Sequence, residues 1–404
     1  MNVIMVCESA TVSGGAEKVA IQEAIELAKR GIRVGYIAAN NEADKELSKA
    51  GVQILLLDTK SFFEETDRKA KIQKLRWNSG IEASLNDFFR TFDPSTTVVH
   101  LHTFRLKLTG IVAHLAQDLG FSTLIHCHDY SPVCPTSLLY DHRLKANCER
   151  KPMSLSCIAC ECQGQSWKYK LPKLTSFYWN QSVWKINRQA KGLIHISDLE
   201  EATTNARIGQ KLPTYHALPI SEAGPLTRIE VEKNQSFLFI GRVTSEKGIE
   251  AFLASTNKLG VDAVVIGDGP LAEEMKAKYP HARFTGWLNK DQIATELENA
   301  RALIVPSVWR ETLGLSVMDA MQSGIPCIVS ENVGAKEFIK PGVSGDIFAD
   351  GGLDQAIDKF ANDDYVKSLS KQAFNAFSKN PLTVERHVDK LLEVYQASLE
   401  KKSA

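Results

Sequence analysis

The sequence predicts an α/β chain of two halves, each a run of strand–loop–helix repeats, joined by a hinge. Three observations carry this. Short apolar runs, suited to strands buried on both faces, alternate with stretches of helical apolar spacing, the pattern of a parallel sheet between helices. The polar stretch 218–235, with two prolines and no clear period, separates the two sets. The length, 404 residues, gives room for two cores.

The totals exclude several classes. Apolar residues make up 44% and charged residues 24%, ordinary values for a globular chain. The formal charge of +0 gives no ground for a nucleic-acid partner. No apolar run approaches the roughly 20 residues of a membrane span. The N-terminus lacks a basic start followed by a long apolar stretch, so it reads as a first strand and loop, and the expected location is cytoplasmic. Six of the eight cysteines fall between Cys127 and Cys162. In a reducing compartment that clustering points to a metal before disulfides.

In the first half, residues 3–6 form a short strand, 9–17 a loop, 16–30 a helix closed by Gly31, and 32–38 the next strand. The Ser13-Gly14-Gly15 tip allows the backbone to approach a ligand closely. It is neither GxGxxG nor GxxxxGK[ST]. Residues 42–90 mix helix and strand under solvated charge. Strands follow at 98–101, ending beside His100 and His102, and at 122–126, with a helix at 110–119 between them. The second of these strands delivers His126-Cys127-His128-Asp129-Tyr130 at its C-terminal end, where open α/β sheets bind ligands. Residues 192–197 are the last strand assigned to this half.

Cys157-x-x-Cys160 has the spacing of a metal-binding knuckle, and Cys134 and Cys148 lie nearby. These four are expected to hold a structural zinc tetrahedrally, with Cys162 as substitute or bystander. An iron–sulfur cluster is the less favoured alternative, and free thiols in a loop the plain one. Residues 167–191 interleave aromatics with Lys and Arg. The commoner explanation is a helix with its aromatics inward. Contact with an anionic membrane is second, and stacking on single-stranded RNA a distant third.

In the second half, the strand 236–240 leads into Gly241-Arg242-Val243-Thr244-Ser245-Glu246-Lys247-Gly248. An arginine and a lysine five apart after a strand supply fixed positive charge where a leaving diphosphate would gather negative charge. The strand 262–266 ends in Gly267-Asp268-Gly269-Pro270, and Phe284-Thr285-Gly286-Trp287-Leu288 follows a helix. The strand 302–305 then gives way to Arg310-Glu311-Thr312-Leu313-Gly314, a helix from 315 closed by Gly324, and a strand at 325–329. A glycine-bearing loop opening a helix presents free N–H groups that favour an anion. Glu311 and Asp319 bracket it, and acids repel phosphate but accept sugar hydroxyls. Residues 382–400 form the last helix.

On the GR…EKG segment and the Glu311-x7-Asp319 spacing, the chain resembles the retaining glycosyltransferases of family 4, the group 1 glycosyl transferases, whose signature is Glu-x7-Glu. Its second acid is one methylene short. The resemblance spans nearly the whole chain and implies the GT-B architecture, two Rossmann-like domains facing across a cleft. The domains would be 1–217, with a cysteine-rich insertion at 127–162, and 236–381, with 218–235 as linker and 382–404 crossing back to the first. The implied reaction moves a sugar from a nucleotide-diphosphate donor to a hydroxyl acceptor, with retention and no catalytic metal. A glycan or lipid-linked acceptor in surface polysaccharide or lipopolysaccharide assembly, at the inner face of the membrane, is the implied setting.

The same resemblance assigns Arg242 and Lys247 to the diphosphate, Glu311 to the donor sugar, Asp319 to the ribose and His128 to the reacting centre. It puts Gly14 and Gly15 at the cleft, Gly267 under the nucleotide, Trp287 beside the base, and Thr312, Leu313 and Gly314 at the leaving group. It also places Glu337 near the cleft. Some members carry His-Asp-Tyr, then Cys-Pro, then scattered cysteines. The rival functions are a nucleotide-sugar epimerase of the same fold and a relative that binds nucleotide sugar without turnover.

Overall fold

The computed structural model describes residues 1–164, 167–221 and 227–400. Part of the expected hinge, 222–226, and the end of the last segment, 401–404, lie outside the described residues. Two parallel sheets organise the chain. The first comprises β1 (Asn2–Cys7), β2 (Arg33–Ala38), β3 (Gln53–Leu56), β4 (Thr97–Leu101), β5 (Ser122–His126), β6 (Gly192–His195) and β7 (Thr214–His216), in the order β3-β2-β1-β4-β5-β6-β7. The second comprises β8 (Ser236–Ile240), β9 (Ala263–Ile266), β10 (Arg283–Gly286), β11 (Ala300–Val305), β12 (Cys327–Ser330) and β13 (Gly345–Phe348), in the order β10-β9-β8-β11-β12-β13. Both orders reverse direction beside their first strand, so each sheet has a switch point whose strand ends open toward a ligand.

The strands read as apolar runs because helices cover both faces. Val3, Ile4, Met5 and Val6 are fully buried, and so are Leu303 and Ile304. The helix Gly15–Lys29 buries Val19, Ala20, Ile21, Ala24 and Leu27 on one stripe, and the same stripe buries Glu23. That acid has no place in an apolar core without partners; its partners appear below. The helix Val384–Glu400 returns to the first sheet, where Val388, Leu391, Val394 and Tyr395 join the core built on β1 and β2. Arg30 ties its outer face by an ion pair to Asp389 at 2.6 Å. Where the chain crosses between the halves, Ser221 N–H donates to the Leu382 carbonyl at 2.9 Å.

Three differences from the sequence reading have a physical reason or bear on the site. β12 begins at Cys327 rather than 325, because Pro326 has no N–H to give the ladder and contributes only its carbonyl, to Leu303 N–H at 3.2 Å. β11 begins two residues early and takes in Arg301, which is 2% exposed. Its guanidinium is satisfied by the carbonyls of Asn234, Phe360 and Ala361 and by Asp363. The stretch 167–191 does not turn its aromatics uniformly inward. Phe177 and Trp184 are buried, but Trp167, Tyr169, Leu171, Tyr178 and Val183 stand on the surface of the helix Trp167–Tyr178 and the turn after it, while Lys170 is buried.

Candidate functional site

A cleft of about 280 Å³ lies between the sheets. From the first half it takes Gly15, Ala16 and Val19 at the start of the helix Gly15–Lys29, His126 and His128 at the end of β5, and His387 from the returning helix. From the second half it takes Lys247, Trp309, Glu311, Thr312, Leu313, Gly314 and Leu315. Two helices therefore start at this cleft, Gly15–Lys29 and Leu315–Gln322. Their unpaired N–H groups and dipoles aim positive potential into it. The starts touch: a Cβ on Gly15 would stand 2.9 Å from Leu315 Cδ1, so a side chain there displaces the Leu315 side chain that lines the cleft.

Lys247 and Glu311 meet in this cleft. Lys247 Nζ donates to Glu311 Oε1 at 2.5 Å, with both side chains mostly covered, and Ser307 Oγ donates to Glu311 Oε2. Lys247 Nζ also lies 5.3 Å from the centre of the Trp309 ring. The two loops carrying the pair are stapled together. The Glu246 carbonyl accepts from Val308 N–H at 2.9 Å, and Gly248, at φ +73°, packs where a Cβ would fall 2.0 Å from the Pro306 carbonyl oxygen. Only glycine fits that position. The Glu311 backbone pairs with Asn332 and Gly334, which fixes the loop from the other side.

The remaining expected residues sit outside this lining. Arg242 is on the correct loop, but its side chain is 56% exposed and leans toward Glu246 at 3.4 Å. Asp319 stands one helical turn behind Leu315, where Ser221 Oγ donates to its Oδ1 at 2.6 Å. The hinge thus grips the helix that opens at the cleft. Gly14 caps the helix Gly15–Lys29 immediately behind the lining. Gly267 packs against the Gly241 carbonyl with no room for a side chain. Trp287 is 73% exposed after β10. Glu337 bridges the halves, its Oε2 accepting from Asp198 N–H at 2.8 Å.

His128 belongs to a cluster that the sequence reading missed. His100 on β4 and His102 just past its end share a face with His126 and His128 at and just past the end of β5. His102 Nδ1 lies 2.8 Å from His128 Nε2, and His100 Nε2 lies 3.1 Å from His126 Nδ1. Glu23 is the anchor: its carboxylate is 3.3 Å from His100 Nδ1, 3.2 Å from His102 Nε2 and 2.8 Å from His387 Nε2. Tyr395 closes the far end, its hydroxyl 2.7 Å from His100 Nδ1. Burial pushes the Glu23 carboxyl up, but His102 and His100 together outweigh it and hold it well below the usual range. Burial, helped by neighbouring imidazoles, pushes His100 down to about 4 and holds His126 and His128 well below the ordinary value. The repeat His-x-His at a strand end was the available signal, since alternate strand residues share a face. The acid and His387 arrive from distant helices and left no local trace.

The cysteine insertion folds against the second half. A short ribbon, Tyr140–Asp141 paired with Ala146–Asn147, reaches the Glu311 loop. There Arg310 N–H donates to Asn147 Oδ1 at 2.9 Å and Asn147 Nδ2 donates to the Val308 carbonyl at 3.0 Å. Glu149 ion-pairs with both Arg310 and Arg207. Cys134, Cys148, Cys157, Cys160 and Cys162 line one small cavity below the ribbon, and all eight cysteines are free thiols.

Among the described residues, no helix is long and apolar enough to cross a membrane. Residues 234–363, about a third of the chain, match the family model described as glycosyl transferases group 1. A GDP-mannose-dependent alpha-mannosyltransferase of Corynebacterium glutamicum is 33% identical over 107 residues, 26% of each chain. The UDP-Gal:alpha-D-GlcNAc-diphosphoundecaprenol alpha-1,3-galactosyltransferase of Escherichia coli is 27% identical over 182 residues, 40% of this chain and 46% of that one. The aligned parts thus span less than half of these curated relatives. Whole-chain likeness comes from solved structures. Sucrose-phosphate synthase of Thermosynechococcus elongatus superposes with TM-score 0.71 at 16% identity over 98% of both chains. Anabaena HepE in complex with UDP gives 0.66 at 15% identity over 98% of this chain and 100% of that one. The chain therefore has the GT-B fold of the glycosyltransferases, two Rossmann-like domains across a cleft, and its second domain carries the group 1 glycosyl transferase segment.

Proposed function

We propose that the protein is a retaining glycosyltransferase that moves a sugar from a nucleotide-diphosphate donor to a hydroxyl acceptor. The observation that carries this is the convergence of Lys247, Glu311 and two helix starts on one interdomain cleft. Lys247 and the N–H groups at Thr312 to Gly314 hold the diphosphate as it leaves. Glu311 accepts hydroxyls of the donor sugar, and His128 borders the reacting carbon. Lys247 and Glu311 neutralise each other in the structure, so donor entry replaces one ion pair with two new contacts, phosphate to lysine and sugar to glutamate. Arg242 reaches the diphosphate by turning off Glu246, which its exposure leaves it room to do.

In the reaction, the bond between the anomeric carbon and the diphosphate oxygen breaks on the face where the acceptor arrives. The acceptor oxygen bonds to that carbon, and its proton passes to the departing diphosphate. No enzyme nucleophile is required, and positive charge fixed beforehand stabilises the leaving group without a catalytic metal. Relatives named for mannosyl and galactosyl transfer support a sugar nucleotide as donor, and the lipid-diphosphate acceptor in one of those names supports a glycan or lipid-linked acceptor. The exposed Trp167, Tyr169, Leu171, Tyr178 and Val183, set among lysines, support peripheral contact with the inner face of a membrane. The test is a panel of sugar nucleotides read by thermal stabilisation and then by transfer to polyprenyl-linked and free glycan acceptors. Transfer lost in Glu311→Ala supports the reading. Release of an epimerised sugar without acceptor, or binding with no turnover on any acceptor, would replace it.

A further inference from the structure

We propose that the insertion holds a single soft divalent cation of the zinc class on four of its five thiols, and that this ion locks the ribbon clamping the Glu311 loop. The cavity walled by Cys134, Cys148, Cys157, Cys160 and Cys162 is about 20 Å³, the room of one water-sized body. That fits one ion and is too small for an iron–sulfur cube. The pocket is also arranged for negative charge. Lys170, 1% exposed, reaches in and bonds the carbonyls of Cys157 and Cys160, and Arg150 Nη1 lies 3.6 Å from Cys148 Sγ. A buried ammonium is costly without compensating charge, and a metal bound by four thiolates carries a net negative charge that supplies it. Asp141 faces the same place, 3.3 Å from Cys160 Sγ and 2.8 Å from Arg150.

The sulfurs are not yet in a closed shell. Among the described residues, the side-chain sets whose ligand atoms already stand within 4.8 Å of one another lie elsewhere, at Glu23 with His100, His102 and His126, at Cys127 with His195 and Glu200, and at Asp198 with Glu201 and His216. Zinc bonds of about 2.3 Å require thiolates about 3.8 Å apart, so binding draws the ring inward. Cys148 sits one residue past the ribbon and its N–H is held by the Leu139 carbonyl at 2.7 Å, so inward movement is felt at Asn147. Asn147 in turn bonds Val308 and Arg310, the residues leading into Glu311. The ion thereby sets the stiffness of the donor loop through a bond, Asn147 to Arg310, that spans 163 positions in sequence, without touching substrate.

Elemental analysis of the full chain, purified anaerobically, gives one zinc equivalent if the site exists. Cys160→Ser should lose at least nine-tenths of it, and Cys148→Ser likewise. Absence of metal, or iron with acid-labile sulfide, overturns the single-ion site. The coupling is read separately, by hydrogen exchange of the peptide containing Arg310. Chelation should speed exchange at Arg310 at least tenfold, while the peptide of β8 stays unchanged. Metal loss with unchanged exchange at Arg310 overturns the lock. Asn147→Ala should give the same faster exchange with zinc still bound, which separates the clamp from misfolding of the insertion. None of these readouts depends on glycosyl transfer, so they stand or fall apart from the function proposed above.

Discussion

The two halves of the molecule share a topology yet are built to opposite rules at their strand ends. In the second half the ends of β8 and β11 carry one compact pair, Lys247 with Glu311, on loops stapled by backbone bonds. In the first half the ends of β4 and β5 carry a buried relay of imidazoles around Glu23. The second half is also the part that matches the group 1 family model. The contrast teaches a division of labour. Phosphate and sugar demand the same charges wherever they bind, so the second half stays close to a common pattern. Under the proposed function the first half faces the acceptor, and it carries the cysteine insertion and the aromatic-rich helix.

Substitutions in the two halves should therefore fail differently. The largest effect is expected from Glu311→Ala, with turnover down on the order of a thousandfold and the melting temperature within about 2 °C of the parent. Lys247→Ala should lower kcat/KM by roughly a hundredfold, mostly in kcat, because its contact grows as the diphosphate leaves. Equal loss of stability and activity in either variant, by melting and initial rates, would assign the pair to the fold rather than the chemistry. In the first half, Gly15→Val should raise the donor KM about tenfold with less change in kcat, since the added methyls displace Leu315 into the cleft lining and take up space there. A larger kcat effect than that of Lys247→Ala would invert the assigned roles.

The smallest effect is on acid stability. His100 is depressed from 6.5 to about 4 in the folded chain. Between those values the unfolded chain binds the extra proton, so stability is full above about pH 6.5 and falls as pH drops toward 4. The loss is on the order of 3 kcal/mol if His100 acts alone. Glu8 works the other way: burial raises its carboxyl from 4.5 to about 7, so its contribution is lost as pH rises through that window. Melting curves from pH 4 to 8 should show the acid limb, and His100→Asn should flatten it. An unchanged acid limb in that variant would remove the relay as its source.

Much of this was written in local sequence. Buried parallel strands announce themselves as apolar runs, and a loop with Glu311 and Gly314 ahead of a helical period could be read without neighbours. Lys247 was legible for the same reason. What local sequence does not carry is side-chain orientation. Nothing near Arg242 tells that its side chain would lean out toward Glu246, and nothing near Asp319 tells that a hinge serine would take its carboxylate. Trp287 was placed beside the base by resemblance alone, with a core role as the alternative, and its 73% exposure is likewise not written in its neighbours. The relay was hidden by distance: Glu23 and His387 are 364 positions apart and meet at 2.8 Å. Asn147 was hidden likewise, since a ribbon of four residues has too little pattern to read.

The returning helix has a further consequence, for synthesis. The first sheet is translated before residue 217, but Val388, Leu391, Val394 and Tyr395 complete its core. Until they emerge, the apolar face of β1 and β2 and the Glu23 cluster lack their cover. The half made first must therefore wait, incompletely closed, while the half made second can finish, and chaperones binding the nascent chain would find their target in the earlier segment.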